Sequence, residues 1–395
     1  MRILTGILAA ALIALAAQAQ AAQKIIGFEA AYRGGAMVRS VESIGGKVTR
    51  QFKIIDALVA VFPDDIKDAA IYSLDGVTSV EEDKVIKWIE SSELSMNSVP
   101  LPDLKNAMTA INARLELSLP AVKADDAELP WGVKRVNAAG AWNFTEGAGI
   151  KVAVIDTGVD FNHADLKANY AGGYNTIIST MPPLDDHGHG THVAGSIAAV
   201  RNGVGVAGVA PRASIYGVKV LDKNGSGSYS NVMAGIEWAA QNKMDVINMS
   251  LGGGGVMEAM QKVITAANDA GVTIVCAAGN DSGPVNYPAK YKESIAVSAS
   301  DSSDKLAYFS SKGPEIAVIA PGVSIYSTKK GGGYTSMSGT SMACPHVAGL
   351  AALAIGAGAN TPAAVRAKLT GAATLLPGLK PTDQGFGLVN AANLR

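Results

Sequence analysis

The stretch "IKVAVIDTGVD", residues 150–160, decides how the whole chain is read. Ile150 and the run Val152–Ile155 are apolar and rich in β-branched residues, which suits a strand buried on both faces of a parallel sheet. Asp156, Thr157 and Gly158 then punctuate the strand at its carboxyl end. Four further runs of the same kind follow: "SIYGVKVL" (214–221), "VINMSLG" (246–252), "VTIVCAAGN" (272–280) and "SIAVSAS" (294–300). Helical stretches fall between them near 190–200, 229–241 and 256–270. Strands alternating with helices predict an α/β fold with a doubly wound, mostly parallel sheet. Ligands on such sheets sit at the carboxyl ends of the strands, which singles out Asp156, Ser250 and Asn280.

Residues 24–88 read as a smaller α+β unit. "KIIGFE" suits a strand, "AMVRSVESIGG" a helix closed by Gly45 and Gly46, and "KVTRQFKIIDALVAVFP" one or two strands. A helix from about Asp64 to Leu74 and a last strand, "VTSVEEDKVIKW", complete a β-α-β-β-α-β order, the ferredoxin-like arrangement. A unit this small gains stability from docking on a partner surface. Residues 91–125 form a polar linker with Pro100, Pro102 and Pro120, in which Leu104, Met108, Ile111 and Leu115 fall at helical spacing. The first 22 residues carry one Arg, an apolar run and Ala-x-Ala endings, the pattern of a secretory signal peptide cut after Ala19, Ala21 or Ala22. The run is short for a membrane anchor and lacks a charged stop, so the mature chain is expected outside the cell or in the periplasm, free of the membrane.

Composition narrows the partners. Of 395 residues 48% are hydrophobic and 17% charged, enough for a large core. Lys and Arg number 33 against 34 Asp and Glu, with no basic run, which argues against nucleic acid. The 44 glycines imply tight turns and close backbone approaches. Cys276 sits in an apolar strand and Cys344 just after Ser341; an exported protein could pair them, but both read as small buried thiols.

The chemistry concentrates in two segments. "GTSMACPHVAG" (339–349) opens a helix with Ser341 on its first turn, at the positive end of the helix dipole. Alone, Ser341 reads more simply as a helix cap. His346 cannot serve it, because five helical residues mean about 140° of rotation and about 7.5 Å of rise. It reads instead as a satisfied structural histidine. "DDHGHGTHVAG" (185–195) offers three more. His189, between Gly188 and Gly190, stands at a helix mouth facing a cleft; His192 lies one turn further in, packed on the sheet; His187 belongs to the loop. Asp156 supplies the carboxylate that a histidine base needs. The order Asp–His–Ser excludes the α/β-hydrolase and chymotrypsin arrangements and is the order found in subtilisin.

The motifs "VAVIDTGVD", "HGTHVAG", "INMSLGG", "AAGN" and "GTSMACPHVAG" together resemble the subtilisin family of serine proteases across residues 126–395, down to "GFGLVNAA". The resemblance implies a nucleophile at Ser341, a general base at His189, an orienting acid at Asp156, and an oxyanion site formed by Asn280 and the Ser341 amide. It implies protein and peptide substrates, held as a strand between Ser250-Leu251-Gly252 and Gly225-Ser226-Gly227, and hence broad specificity. Tyr229 would shape a pocket upstream of the cut; Gly279 and Tyr287-Pro288-Ala289 would line the main one, with Asp185 and Asp281 near enough to influence it. Asp165, the side chain of Asn202 and the carbonyls of Val200, Val204 and Val206 resemble the family's calcium site. The family's N-terminal ligand has no secure counterpart, Asp126 being a candidate. Residues 23–90, notably "GGKVTRQFKIIDA" and "VEEDKV", resemble the family's inhibitory propeptide, the chain's own partner in an otherwise monomeric enzyme. The intervening linker leaves the maturation cut open: near 88–91, near 125–126, or both.

Overall fold

The computed structural model describes residues 22–89 and 128–395. The signal segment up to residue 21, the helical spacing at 104–115 and Asp126 lie outside the described residues. The chain divides into two compact units, Met1–Gln51 with Ala57–Asp83, and Phe52–Asp56 with Lys84–Arg395. Among the described residues no helix is long and apolar enough to cross a membrane.

The first unit runs β1 (Ala22–Phe28), α1 (Ala36–Ser43), β2 (Lys47–Gln51), β3 (Ala57–Phe62), α2 (Asp68–Tyr72) and β4 (Val77–Glu82). Its antiparallel sheet has the order β2-β3-β1-β4, the expected ferredoxin-like arrangement. Met37 and Val41 of α1, one turn apart, pack with Ile26, Leu58 and Phe62. Gly45 ends α1 in the left-handed region at φ 88°. Two expectations change. The second helix is only a short piece, because the turn closed by Ile66 N–H to the Pro63 carbonyl precedes it. The last expected strand is two: after β4 the chain breaks at Asp83, and β5 (Val85–Lys87) belongs to the second unit.

The second unit continues with α3 (Trp131–Arg135), α4 (Ala138–Ala141), β6 (Lys151–Asp156), β7 (Tyr170–Asn175), α5 (His189–Ala198), β8 (Ser214–Lys219), β9 (Ser226–Ser228), α6 (Tyr229–Gln241), β10 (Val246–Met249), α7 (Glu258–Asp269), β11 (Thr273–Ala277), β12 (Ser294–Ser300) and β13 (Ile316–Pro321). A hairpin of β14 (Ile325–Thr328) and β15 (Tyr334–Met337) precedes α8 (Thr340–Gly356), α9 (Pro362–Gly371), β16 (Ala373–Thr374), α10 (Pro381–Gln384) and β17 (Leu388–Val389). Nine strands form one sheet in the order β16-β17-β13-β12-β11-β10-β6-β8-β7, parallel except for the β16–β17 pair. This is the expected doubly wound sheet. Its central strands are buried along their length, which is why their sequences read as unbroken apolar runs. The core gathers Val152, Val154, Val193, Ile197, Val275, Val297 and the length of α8, which runs buried through the unit. Cys276 and Cys344 are free and buried, as expected.

Candidate active site

β6 ends at Asp156, and α5 starts at His189 after Gly188, whose φ of 117° turns the chain into the helix. Gly190 lets the helix approach: a Cβ there would lie 2.1 Å from the Gly158 carbonyl and 3.1 Å from the Asp156 side chain. His189 Nδ1 consequently lies 2.8 and 2.9 Å from the two oxygens of Asp156, both side chains being fully buried. The Thr157 N–H also donates to Asp156 Oδ1, at 2.7 Å. The two residues expected as acid and base are therefore together, with Nδ1 facing the carboxylate.

The loop before His189 is held by residues that sequence reasoning misjudged or missed. Asp185, expected near the main pocket, turns inward instead. It takes hydrogen bonds from Thr157 Oγ1, the amides of His187 and Gly188, and both N–H and Oγ1 of Thr191. Five donors saturate its carboxylate, so it organises the helix start rather than meeting a substrate. Lys219 went unnoticed, although a lone cation inside the apolar run "SIYGVKVL" was its signal. Its buried ammonium donates to the carbonyls of Thr157 and Leu221 and to Asp186 Oδ1, at 2.6–2.8 Å.

Ser341 stands on the first turn of α8, 5% exposed. Pro345 lacks an N–H, so the Ser341 carbonyl four residues earlier has no helical donor. Ser250 Oγ supplies it at 2.8 Å, itself held by Asn248 Nδ2 at 2.9 Å. Ser250 thus braces Ser341 through its hydroxyl, its own side chain being fully buried. α8 packs along α5 and against β6, β10 and β11, which brings Ser341, the Asp156–His189 pair and Asn280 to the same end of the sheet. Asn280 Oδ1 accepts from both the N–H and the Oγ1 of Thr340, at 2.8 and 2.9 Å. That anchor leaves the NH₂ of Asn280 as the end available to the groove that Asn280, Gly279 and Ser341 line. Thr340 was a further missed residue, legible only as the neighbour of Ser341.

The groove is lined by Leu251 and Gly252 on one side. From the segment 286–289 the lining residue is Asn286, while Pro288 and Ala289, expected to line it, are buried. Asp281 does line it, accepting from Asn286 Nδ2 at 2.8 Å. The two expected substrate edges are occupied by the chain itself. β5 pairs antiparallel with β9, Ile86 opposite Gly227 and Lys87 opposite Ser226. The Trp88 N–H donates to the Gly225 carbonyl at 3.0 Å, and the Gly252 N–H donates to the Trp88 carbonyl at 3.1 Å. The Trp88 ring meets Tyr229 edge-on at 5.1 Å and donates to the Gly227 carbonyl.

Of the other histidines, His192 and His346 are structural, with two amendments. His192 packs against the β14–β15 hairpin rather than the sheet, its Nε2 facing the carbonyls of Ile325 and Thr335. His346 is satisfied at one nitrogen only: Nδ1 donates to the Met342 carbonyl, and Nε2 is buried without a hydrogen-bond partner. Burial holds His192 down to about 3 and His346 down to about 4. In the unfolded chain both titrate near 6.5, so below that pH the unfolded state takes up protons that the folded state refuses. Stability is therefore full above about pH 6.5 and falls as the pH drops toward 4, by about 3 kcal/mol for His346 alone. Urea unfolding at pH 7 and pH 4.5 reads this; His346→Gln, which carries no titrating ring, flattens the profile.

The loop expected to hold calcium is formed. Asp165, 1% exposed, accepts from Asn202 Nδ2, the Val206 N–H and the Tyr334 hydroxyl. Asn202 Oδ1 accepts from the Val204 N–H, and Glu128 receives the amides of Asn202 and Gly203. Among the described residues the carbonyls of Val200, Val204 and Val206 accept no hydrogen bond. One carboxylate and three carbonyls without a protein donor are hard oxygen donors that fit calcium; the Asn202 amide, turned with its nitrogen toward Asp165, is the one member directed otherwise.

A family model described as the subtilase family matches residues 147–388. The chain belongs to this family and is a serine endopeptidase. It is 41% identical to subtilisin J of Geobacillus stearothermophilus over 355 residues, 88% of this chain and 82% of that protein. It is 42% identical to a thermostable alkaline protease of Halalkalibacterium halodurans over 340 residues, 85% and 90% of the two chains. With a subtilisin of Bacillus pumilus the identity is 49% over 271 residues, 66% and 97% of the two.

Proposed function

We propose that the protein is a secreted endopeptidase of broad specificity that cuts peptide bonds through Ser341, His189 and Asp156 and is made as a self-processing precursor. The observation that carries this reading is the buried contact of His189 Nδ1 with both oxygens of Asp156. Ser341 Oγ attacks the peptide carbonyl while His189 Nε2 takes its proton; the Asn280 amide and the Ser341 N–H stabilise the resulting oxyanion. His189 then protonates the leaving amine, and water repeats the sequence on the acyl-enzyme. Recognition by main-chain hydrogen bonds at Gly225, Gly227 and Gly252 carries little side-chain identity, hence the broad specificity. Residues 85–89 already use those bonds, which supports an inhibitory role for residues 23–90. Casein hydrolysis is expected to disappear in Ser341→Ala, down by about 10⁶ in kcat, a magnitude known from subtilisin itself. N-terminal sequencing of the secreted wild type is expected to show new termini near 88–91, near 125–126 or both. In Ser341→Ala only the signal peptide is lost; casein turnover surviving in that variant would refute the mechanism.

In the same reading calcium is held by Asp165, Asn202 and the carbonyls of Val200, Val204 and Val206, and it stabilises the loop without entering the reaction. At a thousandfold excess over its dissociation constant a ligand adds about 4 kcal/mol, so a strong chelator lowers Tm by about 10 °C. An unchanged Tm in scanning calorimetry with and without chelator would remove calcium from this account. The mature enzyme is expected to sediment as a monomer in the extracellular or periplasmic fraction.

A further inference from the structure

Two segments are seated at once in one uncut chain. Residues 85–89 lie against residues 225–228 and Gly252, and Ile89, buried, lines the groove that also holds Asn280 and Ser341. Glu128 is seated on the loop 200–207. Its backbone carbonyl accepts the Ala207 N–H at 2.8 Å, and its Oε2 accepts the amides of Asn202 and Gly203 at 3.1 and 2.8 Å. Three hydrogen bonds to one buried residue thus bracket the loop. The next turn is fixed as well, since Trp131 Nε1 lies 3.2 Å from the carbonyls of Val323 and Ser324. Asp165 holds the same loop through Asn202 and Val206. Two buried carboxylates therefore share one short loop, and among the described residues neither has an ion-pair partner. A cation held there offsets both charges.

We propose that the calcium loop is complete in the uncut precursor: Glu128 clasps it while residues 85–89 fill the groove, so the cation binds before self-cleavage. The inference rests on the calcium reading above. Chain length permits it. α5 begins at His189 and runs about 15 Å before the loop starts, so the clasp and the groove lie at opposite ends of that helix. Residues 90–127 join the two places. At about 3.4 Å per residue that chain reaches over 100 Å, against roughly 50 Å for the width of a domain of this size. A direct junction of Ile89 to Glu128 could not serve both ends. Both candidate cuts, near 88–91 and near 125–126, precede Glu128 and leave the clasp as it is. Calcium affinity is therefore the same before and after maturation, and the cation favours the folded precursor by mass action. The cut is left to control only access to the groove.

The test is calorimetric titration of calcium chloride into two chelator-stripped proteins. One is the Ser341→Ala precursor, shown by intact mass to be uncut; the other is the mature wild-type enzyme blocked with phenylmethylsulfonyl fluoride. One-to-one binding is expected in both, with dissociation constants within about threefold of each other. Glu128→Ala is expected to weaken calcium in both forms by about tenfold to a hundredfold, with circular dichroism as the control for folding. Glu128→Gln, which keeps the acceptor for the two amides and loses the charge, is expected to lie between. A precursor affinity at least about tenfold below the mature value would overturn the proposal, and so would an affinity unmoved by Glu128→Ala. Absence of binding to the mature enzyme as well would remove the calcium reading itself, and this inference with it.

Discussion

Asp156→Asn lowers kcat by about four orders of magnitude and leaves KM for a peptide substrate close to the wild-type value. The size follows from which atom faces which. Asp156 Oδ1 takes the Thr157 N–H as well as His189 Nδ1, and Oδ2 faces Nδ1 alone. In an asparagine the carbonyl oxygen is claimed by the Thr157 N–H, which leaves the NH₂ directed at the imidazole. Nδ1 must then accept, the ring's proton moves to Nε2, and the nitrogen that should receive the serine proton already holds one. No packing changes, because the two side chains have the same shape. Steady-state kinetics with circular dichroism as a control for folding reads the effect; a loss smaller than about tenfold would show that something other than Asp156 sets the tautomer.

Asn280→Ala is the second large effect, a fall of about 10²–10³ in kcat, the range measured for the corresponding residue type in subtilisin. Thr340 fixes Asn280 through two hydrogen bonds to one oxygen, so the amide hydrogens are aimed before any substrate arrives. Such a donor acts on charge that appears only in the transition state, so kcat falls and KM does not. Thr340→Val removes one of the two anchors and keeps the backbone N–H, and gives a smaller loss in the same direction. A rise in KM with kcat unchanged in Asn280→Ala would mean that the residue holds ground-state substrate instead.

The buried sheet was legible because its strands are apolar on both faces: β6, β8, β10, β11 and β12 all stand where their runs stand in the sequence. β7, "YAGGYN", escaped because an edge strand with glycines at 172 and 173 has no hydrophobic signature; Gly173 is there because a Cβ would lie 1.9 Å from the Gly217 carbonyl. The short strand β5 was folded into its predecessor, since nothing in "VTSVEEDKVIKW" marks a change of partner at Asp83. Asp156, His189, Ser341 and Asn280 stood out in the sequence at strand ends and helix mouths, and the structure brings them to the same end of the sheet. Their supports did not stand out. Asp185 reads as an acid beside the main pocket, Thr340 as the neighbour of Ser341 and Lys219 as an interruption, because each acts through backbone groups whose positions only the fold supplies.

The proline in α8 has a mechanical consequence. By leaving the Ser341 carbonyl without its helical donor, Pro345 lets Ser250 couple the segment 250–252 to the turn that carries Ser341, in the proposed mechanism the peptide-receiving border and the attacking hydroxyl. The two elements are yoked, so a rigid or bulky segment that bows the border outward drags the hydroxyl off its line of approach. Misfits of that kind are rejected as slow turnover rather than weak association, since a displacement of about 1 Å already costs about a hundredfold in rate.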